Sequence, residues 1–264
     1  MKKISIITVV KNGMPHLADA VKSFYMQNYR NKELVIVFSK SNDDTEKYLN
    51  NLITKKNIKI FKDNNTGNKF DAINIGIKNS SGAIVGLLHS DDIFFNKNTL
   101  KKLSKHFDNI KTDGVYGGVY FTKKDDLSKV IRIWKPEKFN KKNLKYGWMV
   151  PHTSLFLKKD LFKKIGMYTN KYKISGDYEF ILRLFVNQNT NIFSTNSYHM
   201  IMRYGGDSTR FKDLFLKLTE DYKIARKYKL NQLSIFIKIF SKIKQLLNRK
   251  TIKNKYINEF ILHK

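Results

Sequence analysis

Residues 83–95 read "AIVGLLHSDDIFF". Six apolar residues run together, His89 and Ser90 interrupt them, Asp91 and Asp92 stand side by side, and the chain turns apolar again. Adjacent like charges repel, and each loses hydration when covered, so packing alone gives a buried strand no reason to end this way. Two readings stand on these residues alone. One is a turn in which Ser90 or Asp92 caps the next helix; the other is a pair of acids presented to a ligand.

The surrounding chain favours the second. "ISIITVV" (4–10), "ELVIVF" (33–38), "IKIF" (58–61) and "AIVGLL" (83–88) are short β-branched or leucine-rich runs. Between them lie segments of helical spacing: Leu17, Val21, Phe24 and Tyr25; then Thr45 to Ile53; then Ala72, Ile73 and Ile77. That alternation predicts βαβ units and a mainly parallel sheet. "HSDD" then falls at the C-terminal end of the fourth strand, the edge at which open α/β sheets bind ligands. From Gly114 the pattern changes. "GVYGGVYF" and "KVIRIW" read as antiparallel strands about a "KKDD" turn. The loop "WMVPHTS" leads to "LFLKKDLFKKIGMY" and to "KISGDYEFILRLF", which opens a helix near Asp177 with Phe180, Ile181 and Leu184 inward. The alternating half suits a nucleotide, the irregular half a more variable guest.

With 264 residues, 41% of them hydrophobic, the chain can bury one substantial core. It has no cysteine, which excludes disulfides and thiolate metal sites and fits a reducing compartment. The opening "MKKISIITVVKNG" superficially resembles a signal peptide, but its apolar stretch is short and β-branched, so a first buried strand is expected. No stretch approaches the ~20 apolar residues that span a bilayer. The formal net charge is +29, which suits a polyanion partner, an acidic membrane face, or simply a chain rich in lysine throughout. Lysines are scattered along the whole sequence, which favours the last for most of the excess. Density still rises at the end: residues 216–264 hold 13 Lys+Arg against 3 Asp+Glu.

No G-x-G-x-x-G follows the first strand and no G-x-x-x-x-G-K-[ST] occurs, so the dinucleotide and P-loop readings fail. What remains is an acid pair at a strand end and a further acid, Asp177, opening a later helix. Adjacent carboxylates beside a hydroxyl make a hard-oxygen site suited to Mg2+ or Mn2+. Such an ion takes its other ligands from water and phosphate, so a diphosphate leaving group is a natural guest.

Four landmarks occur in a familiar order: "SIITVVKNG" (5–13), "HSDD" (89–92), "GDYEFILRL" (176–184) and "RYGGDST" (203–209), supported by "KFDAINIGIKNSSGAIVG" and "PHTSLFLKKDLFKKIGMY". Over about residues 3–210 the chain resembles the family 2 glycosyltransferases, above all members that build bacterial surface polysaccharide on a lipid carrier. The resemblance implies an α/β, Rossmann-like GT-A fold with a mixed, mainly parallel sheet flanked by helices. It implies a transferase domain at 1–212, with a nucleotide-binding half (1–112) and an acceptor-binding half (113–212), and a basic helical membrane-associating extension at 213–264. The activity implied is inverting transfer of a hexose-type sugar from a nucleotide-diphospho-sugar, expected to be a UDP-sugar, to a hydroxyl of a polyprenyl-diphosphate-linked saccharide in O-antigen or capsule synthesis, with Mn2+ or Mg2+ as cofactor.

The resemblance also implies roles. Thr8, Val9, Val10 and Asn12 would lie along the nucleotide, Asp92 would ligate the metal, and Asp91 would hold the ribose, the donor sugar or the metal's waters. Asp177 matches the catalytic acid position and would take the acceptor's proton, an effect of ~10²–10⁴-fold. In the family the segment of Lys69, Asp71 and Asn74 approaches the nucleotide; Asp71 and Asn74 share a helix face. Many members carry a uracil-reading aspartate after the second strand. Here Phe38 stands in its place, within "FSKSNDDT", while Ser41, Asp43 and Thr45 remain and Ser39 offers a substitute contact.

Other readings stay open. Asp177 also suits an N-cap, and Glu179 is its rival as base. Arg183 fits an i,i+4 or i,i+6 partnership, or a diphosphate contact. His152 fits a structural hydrogen bond or a contact with acceptor or donor sugar. Asp207 and Ser208 fit either a loop closing over the diphosphate or a plain glycine turn. Residues 233–247, "LSIFIKIFSKIKQLL", put Leu233, Phe236, Ile237, Phe240, Ile243 and Leu247 on one helical face, opposite Lys238, Lys242 and Gln245. Such a helix suits an anionic membrane surface or packing on the protein's own core. The expected location is cytoplasmic, peripheral to the inner face of the cell membrane. Nucleic-acid binding is the rival function; with no nucleic-acid module in the sequence, no such partner is expected. A relative that binds sugar nucleotides without catalysis is a further alternative.

Overall fold

The computed structural model describes residues 1–64, 68–186, 189–205 and 211–231, together with Ile257 and Phe260. Its first half is built from β1 (Ile4–Val10), α1 (His16–Tyr25), β2 (Lys32–Phe38), α2 (Thr45–Asn50), β3 (Ile58–Lys62), α3 (Lys69–Asn79) and β4 (Ile84–Leu87). The four strands are parallel in the order β3-β2-β1-β4. Their central members are apolar at nearly every position because helices cover both faces. On one face Ile73 and Ile77 of α3 meet Ile7 and Val35; on the other Leu17, Val21 and Phe24 of α1 meet Ile4, Ile6 and Leu34. A Cβ on Gly76 would come 2.3 Å from the Ile7 side chain, so this glycine lets α3 lie close against β1.

The second half contains β5 (Ile93–Phe94), α4 (Thr99–His106), β6 (Gly114–Lys123), β7 (Asp126–Trp134), α5 (Lys141–Leu144), a 3-10 turn (His152–Ser154), β8 (Phe156–Lys158), α6 (Leu161–Ile165), α7 (Gly176–Val186), β9 (Ile192–Arg203) and α8 (Phe211–Lys227). The sheet runs β3-β2-β1-β4-β8-β6-β9-β5, with β7 paired to β6. Strand β8 is antiparallel to both β4 and β6, and β6–β7 is the antiparallel pair expected around "KKDD". Strands β5, β8 and β9 were not legible in the sequence. Strand β9 shifts register against β6 near Gly118 and carries Asn196 at φ 52°, so it lacks a sustained period of two. Helix α2 ends at Asn50, before the expected Ile53.

Ile257 and Phe260 are buried against Ile93, Tyr120, Ile133 and Ile201. Lys22 donates to the Phe260 carbonyl at 3.2 Å, so this part of the basic extension packs on the sheet. The amphipathic stretch 233–247 lies outside the described residues, among which no helix is long and apolar enough to cross a membrane.

Candidate active site

The end of β4 is held by Thr8, whose hydroxyl donates to the Leu88 carbonyl at 2.8 Å. The chain then turns, with Asp92 N–H donating to the His89 carbonyl at 3.1 Å, and enters β5. Arg203, the last residue of β9, fixes this turn from outside. Its guanidinium donates to the Asp91 carbonyl (2.5 Å), to the Asp19 carboxylate (2.6 Å) and to the Lys124 carbonyl (3.0 Å).

Inside the turn four side chains make contact in series. Asp92 Oδ2 lies 3.4 Å from His89 Nδ1, His89 Nε2 lies 3.0 Å from His152 Nε2, and His152 Nδ1 lies 3.4 Å from Asp177 Oδ2. His152 reaches this position from the 3-10 turn after Pro151, and Asp177 from the first turn of α7. That first turn lies against α3. A Cβ on Gly176 would come 2.6 Å from the Phe70 ring, so only glycine permits this approach. Lys69, beside Phe70, is a minor influence against protonation of either histidine. Asp92 and Asp177, 85 positions apart in sequence, are thus the two ends of one contact series.

The charges follow from burial. Asp92 is 1% exposed, and among the described residues its carboxylate has no close hydrogen-bond donor beyond the 3.4 Å contact with His89. Burial therefore pushes its pKa up to about 6, with the neighbouring His89 only partly opposing. At His89 burial disfavours the imidazolium, but Asp92 and Asp91 outweigh it and the pKa is raised. At His152 burial dominates over the attraction of Asp177 and pulls the pKa down to about 3, leaving the ring neutral. One proton can lie between the two rings. With His89 Nε2–H donating, His152 Nε2 accepts and its Nδ1–H is turned toward Asp177.

His89, Asp91 and Asp92 each offer a ligand atom, all within 4.8 Å of one another. Together with the unsatisfied lone pairs of Asp92, this donor set fits a hard divalent cation.

The other expected residues divide sharply. Thr8 is buried with its hydroxyl engaged, Val10 is buried in the α1-side core, and Val9 is half-buried. Asn12 takes φ 52° and bonds the next loop twice: its N–H donates to Ser41 (3.0 Å), and its side-chain oxygen accepts from Asn42 N–H (2.8 Å). Gly13 N–H donates to Thr45 and Met14 N–H to Asp43, so the retained Ser41, Asp43 and Thr45 lace the two loops together. Ser39 N–H donates to Val10, and its hydroxyl lies 3.5 Å from Asp63, while Phe38 packs on the core.

Asp71 and Asn74 do share a face, but their joint partner is the 168–170 loop. Asn74 makes two bonds to the Tyr168 backbone (2.7 and 3.0 Å), and Asp71 accepts from Asn170 (3.3 Å). Glu179 is turned inward, 1% exposed, between Lys227 and Tyr228 (2.7 Å each) and Arg183 (3.1 Å). Burial alone would raise its pKa; these donors hold it below the usual carboxylate value. Arg183 completes that cluster and donates to the Ile165 and Met167 carbonyls, so it clamps the loop before the site. Asp207 and Ser208 lie outside the described residues. His89 and Arg203 were present in "HSDD" and "RYGGDST", but only folding reveals their contacts.

A parallel first half joined to a mixed second half, in which β8 and β7 run antiparallel to β6 and β9 parallel to it, makes one curled sheet of the GT-A type. The sequence model for glycosyl transferase family 2 matches residues 5–166, and the chain belongs to that family. An uncharacterized glycosyltransferase of Mycobacterium tuberculosis is 29% identical over 182 residues, covering 68% of each chain. One from Rickettsia typhi is 31% identical over 189 residues, covering 67% of this chain and 56% of its own. Among solved structures, Staphylococcus aureus TarS 1–349 in complex with UDP-GlcNAc superposes with a TM-score of 0.67 at 17% identity, over 99% of this chain and 71% of that one. The mannosyltransferase PcManGT of Pyrobaculum calidifontis, in complex with GDP-Man and Mn2+, gives 0.64 at 13% identity, over 99% and 73%.

Proposed function

We propose that this glycosyltransferase is inverting and metal-dependent, and that it moves a hexose-type sugar from a UDP-sugar to a hydroxyl of a lipid-linked saccharide in surface polysaccharide synthesis. The observation that carries the reading is the contact series Asp92–His89–His152–Asp177, which sets a cation-ready carboxylate and a candidate base at one cleft. The UDP-GlcNAc and GDP-Man complexes of the structural neighbours support a nucleotide-sugar donor.

Asp177 accepts the acceptor's hydroxyl proton as that oxygen bonds to the anomeric carbon and the bond to the diphosphate breaks on the opposite face. His152 orients the carboxylate of Asp177, and His89 fixes His152. Asp92, with Asp91 and His89, would hold Mn2+ or Mg2+, which when bound neutralises charge on the leaving diphosphate. The loops at 11–14 and 39–45, with Val9, Ser39 and Lys69 nearby, receive the nucleotide. The stretch 233–247 and its polybasic flank attach the enzyme to the cytoplasmic face of the membrane, where a lipid-linked acceptor resides.

A panel of UDP- and GDP-sugars with Mn2+ and a lipid-linked acceptor tests this, with the anomeric configuration of the product read by NMR. Transfer with inversion from a UDP-sugar is expected. Retention, or full activity in Asp177→Asn, sinks the mechanism; sedimentation with anionic vesicles checks the attachment.

A further inference from the structure

Arg132 on β7 is 8% exposed, yet among the described residues it makes no ion pair and no acceptor takes its buried Nε–H. Its guanidinium lies 4.0 Å from the centroid of Phe121 and 5.4 Å from that of Trp134. Stacking on aromatic faces covers the plane of a guanidinium and leaves its N–H edge available. That edge matches a carboxylate or phosphate in a two-point contact. Among the described residues the buried charge has no carboxylate partner, and burial lowers its pKa to about 10. The other buried arginine described, Arg203, is 5% exposed and is fully engaged by Asp19 and two carbonyls.

Its position relates it to the cleft. Arg132 stands opposite Phe121 on β6, and Phe121 stands opposite Met202 on β9, so the three share one sheet face. Met202 sulfur accepts the hydroxyl of Thr153 at 3.4 Å, and Thr153 follows His152. Tyr204, directly after β9, is close enough to raise the Arg132 pKa. This wall belongs to the second half of the sheet, in which β6 runs antiparallel to β7 and parallel to β9.

We propose that Arg132, flanked by Phe121 and Trp134, is an oxyanion subsite that takes a phosphate or carboxylate carried by the sugar acceptor. Assigning the anion to the acceptor rests on the transferase reading; the affinity for an oxyanion does not.

Calorimetric titration of the full chain tests it with inorganic phosphate, a short prenyl diphosphate and glucuronate, against prenol and glucose as neutral counterparts. At least one anion binds more tightly than its neutral counterpart, and which one does identifies the source of the oxyanion. Arg132→Gln weakens that binding by about tenfold or more, Arg132→Lys recovers part of it, and UDP affinity stays unchanged in both. Undiminished anion binding in a folded Arg132→Gln overturns the proposal, as does equal binding of neutral and anionic probes. A parallel fall in UDP affinity overturns the acceptor-side assignment. Failure of the wild type to bind any nucleotide sugar strikes the transferase reading instead, and appears in a separate titration.

Discussion

The two ends of the parallel strands each bury a carboxylate, and they treat it in opposite ways. At the N-terminal edge Glu33 is 1% exposed. It accepts from the hydroxyls of Ser5 (2.6 Å) and Ser81 (2.7 Å) and from Ser81 N–H, and pairs with Lys3 (2.9 Å) and Lys59 (3.2 Å). At the C-terminal edge Asp92 is equally buried, and among the described residues only His89, at 3.4 Å, approaches its carboxylate. Burial works to raise both pKa values. At Glu33 the donors overcome it and the group is held far below the usual carboxylate range; at Asp92 the value stays near 6. Depth alone therefore does not set the charge of a buried acid; the donors around it do.

Substitutions can break this contrast at either edge. Asp177→Asn carries the largest expected effect: transfer falls by ~10²–10⁴-fold while nucleotide affinity by calorimetry is unchanged. Asp92→Ala lowers transfer by about 10²–10³-fold. Its melting temperature equals or exceeds the wild type's, because an unsatisfied buried acid is removed. Saturating Mn2+ raises the wild-type melting temperature, by about 2.7 kcal/mol of stability at a hundred times Kd, and Asp92→Asn abolishes the increment.

Glu33→Gln does the reverse of Asp92→Ala. It costs about 2 kcal/mol of stability in denaturant melts and leaves transfer per folded molecule intact. Because the folded-state pKa of Glu33 is depressed, that stability difference is full above the unfolded carboxylate value of about 4.3 and shrinks as pH falls below it. A difference that persists unchanged in acid would show that the Glu33 charge is not its source.

The first half of the fold was legible because β1, β2 and β4 are buried on both faces, so each contains a continuous apolar run. The second half was less so. Two residues of β5 and three of β8 leave too short a pattern, and the register shifts in β9 break alternation. Among candidate residues, Asp91, Asp92, His152 and Asp177 were singled out from sequence; the fold links Asp92, His152 and Asp177 through His89 and keeps Asp91 beside Asp92. The 3.0 Å contact of His89 with His152 spans 63 positions and two unrelated elements, so no spacing rule reaches it. Helical phase did place Glu179 away from Asp177, and the i,i+4 partnership of Arg183 is with that same Glu179. Arg132 left no trace, because its isolation depends on which carboxylates the fold keeps away.

Arg203 ties three distant segments to one point: the acid-bearing turn through Asp91, helix α1 through Asp19, and the β6–β7 turn through Lys124. Because a single guanidinium joins all three, replacing it would release the acid-bearing turn, the first helix and the hairpin together.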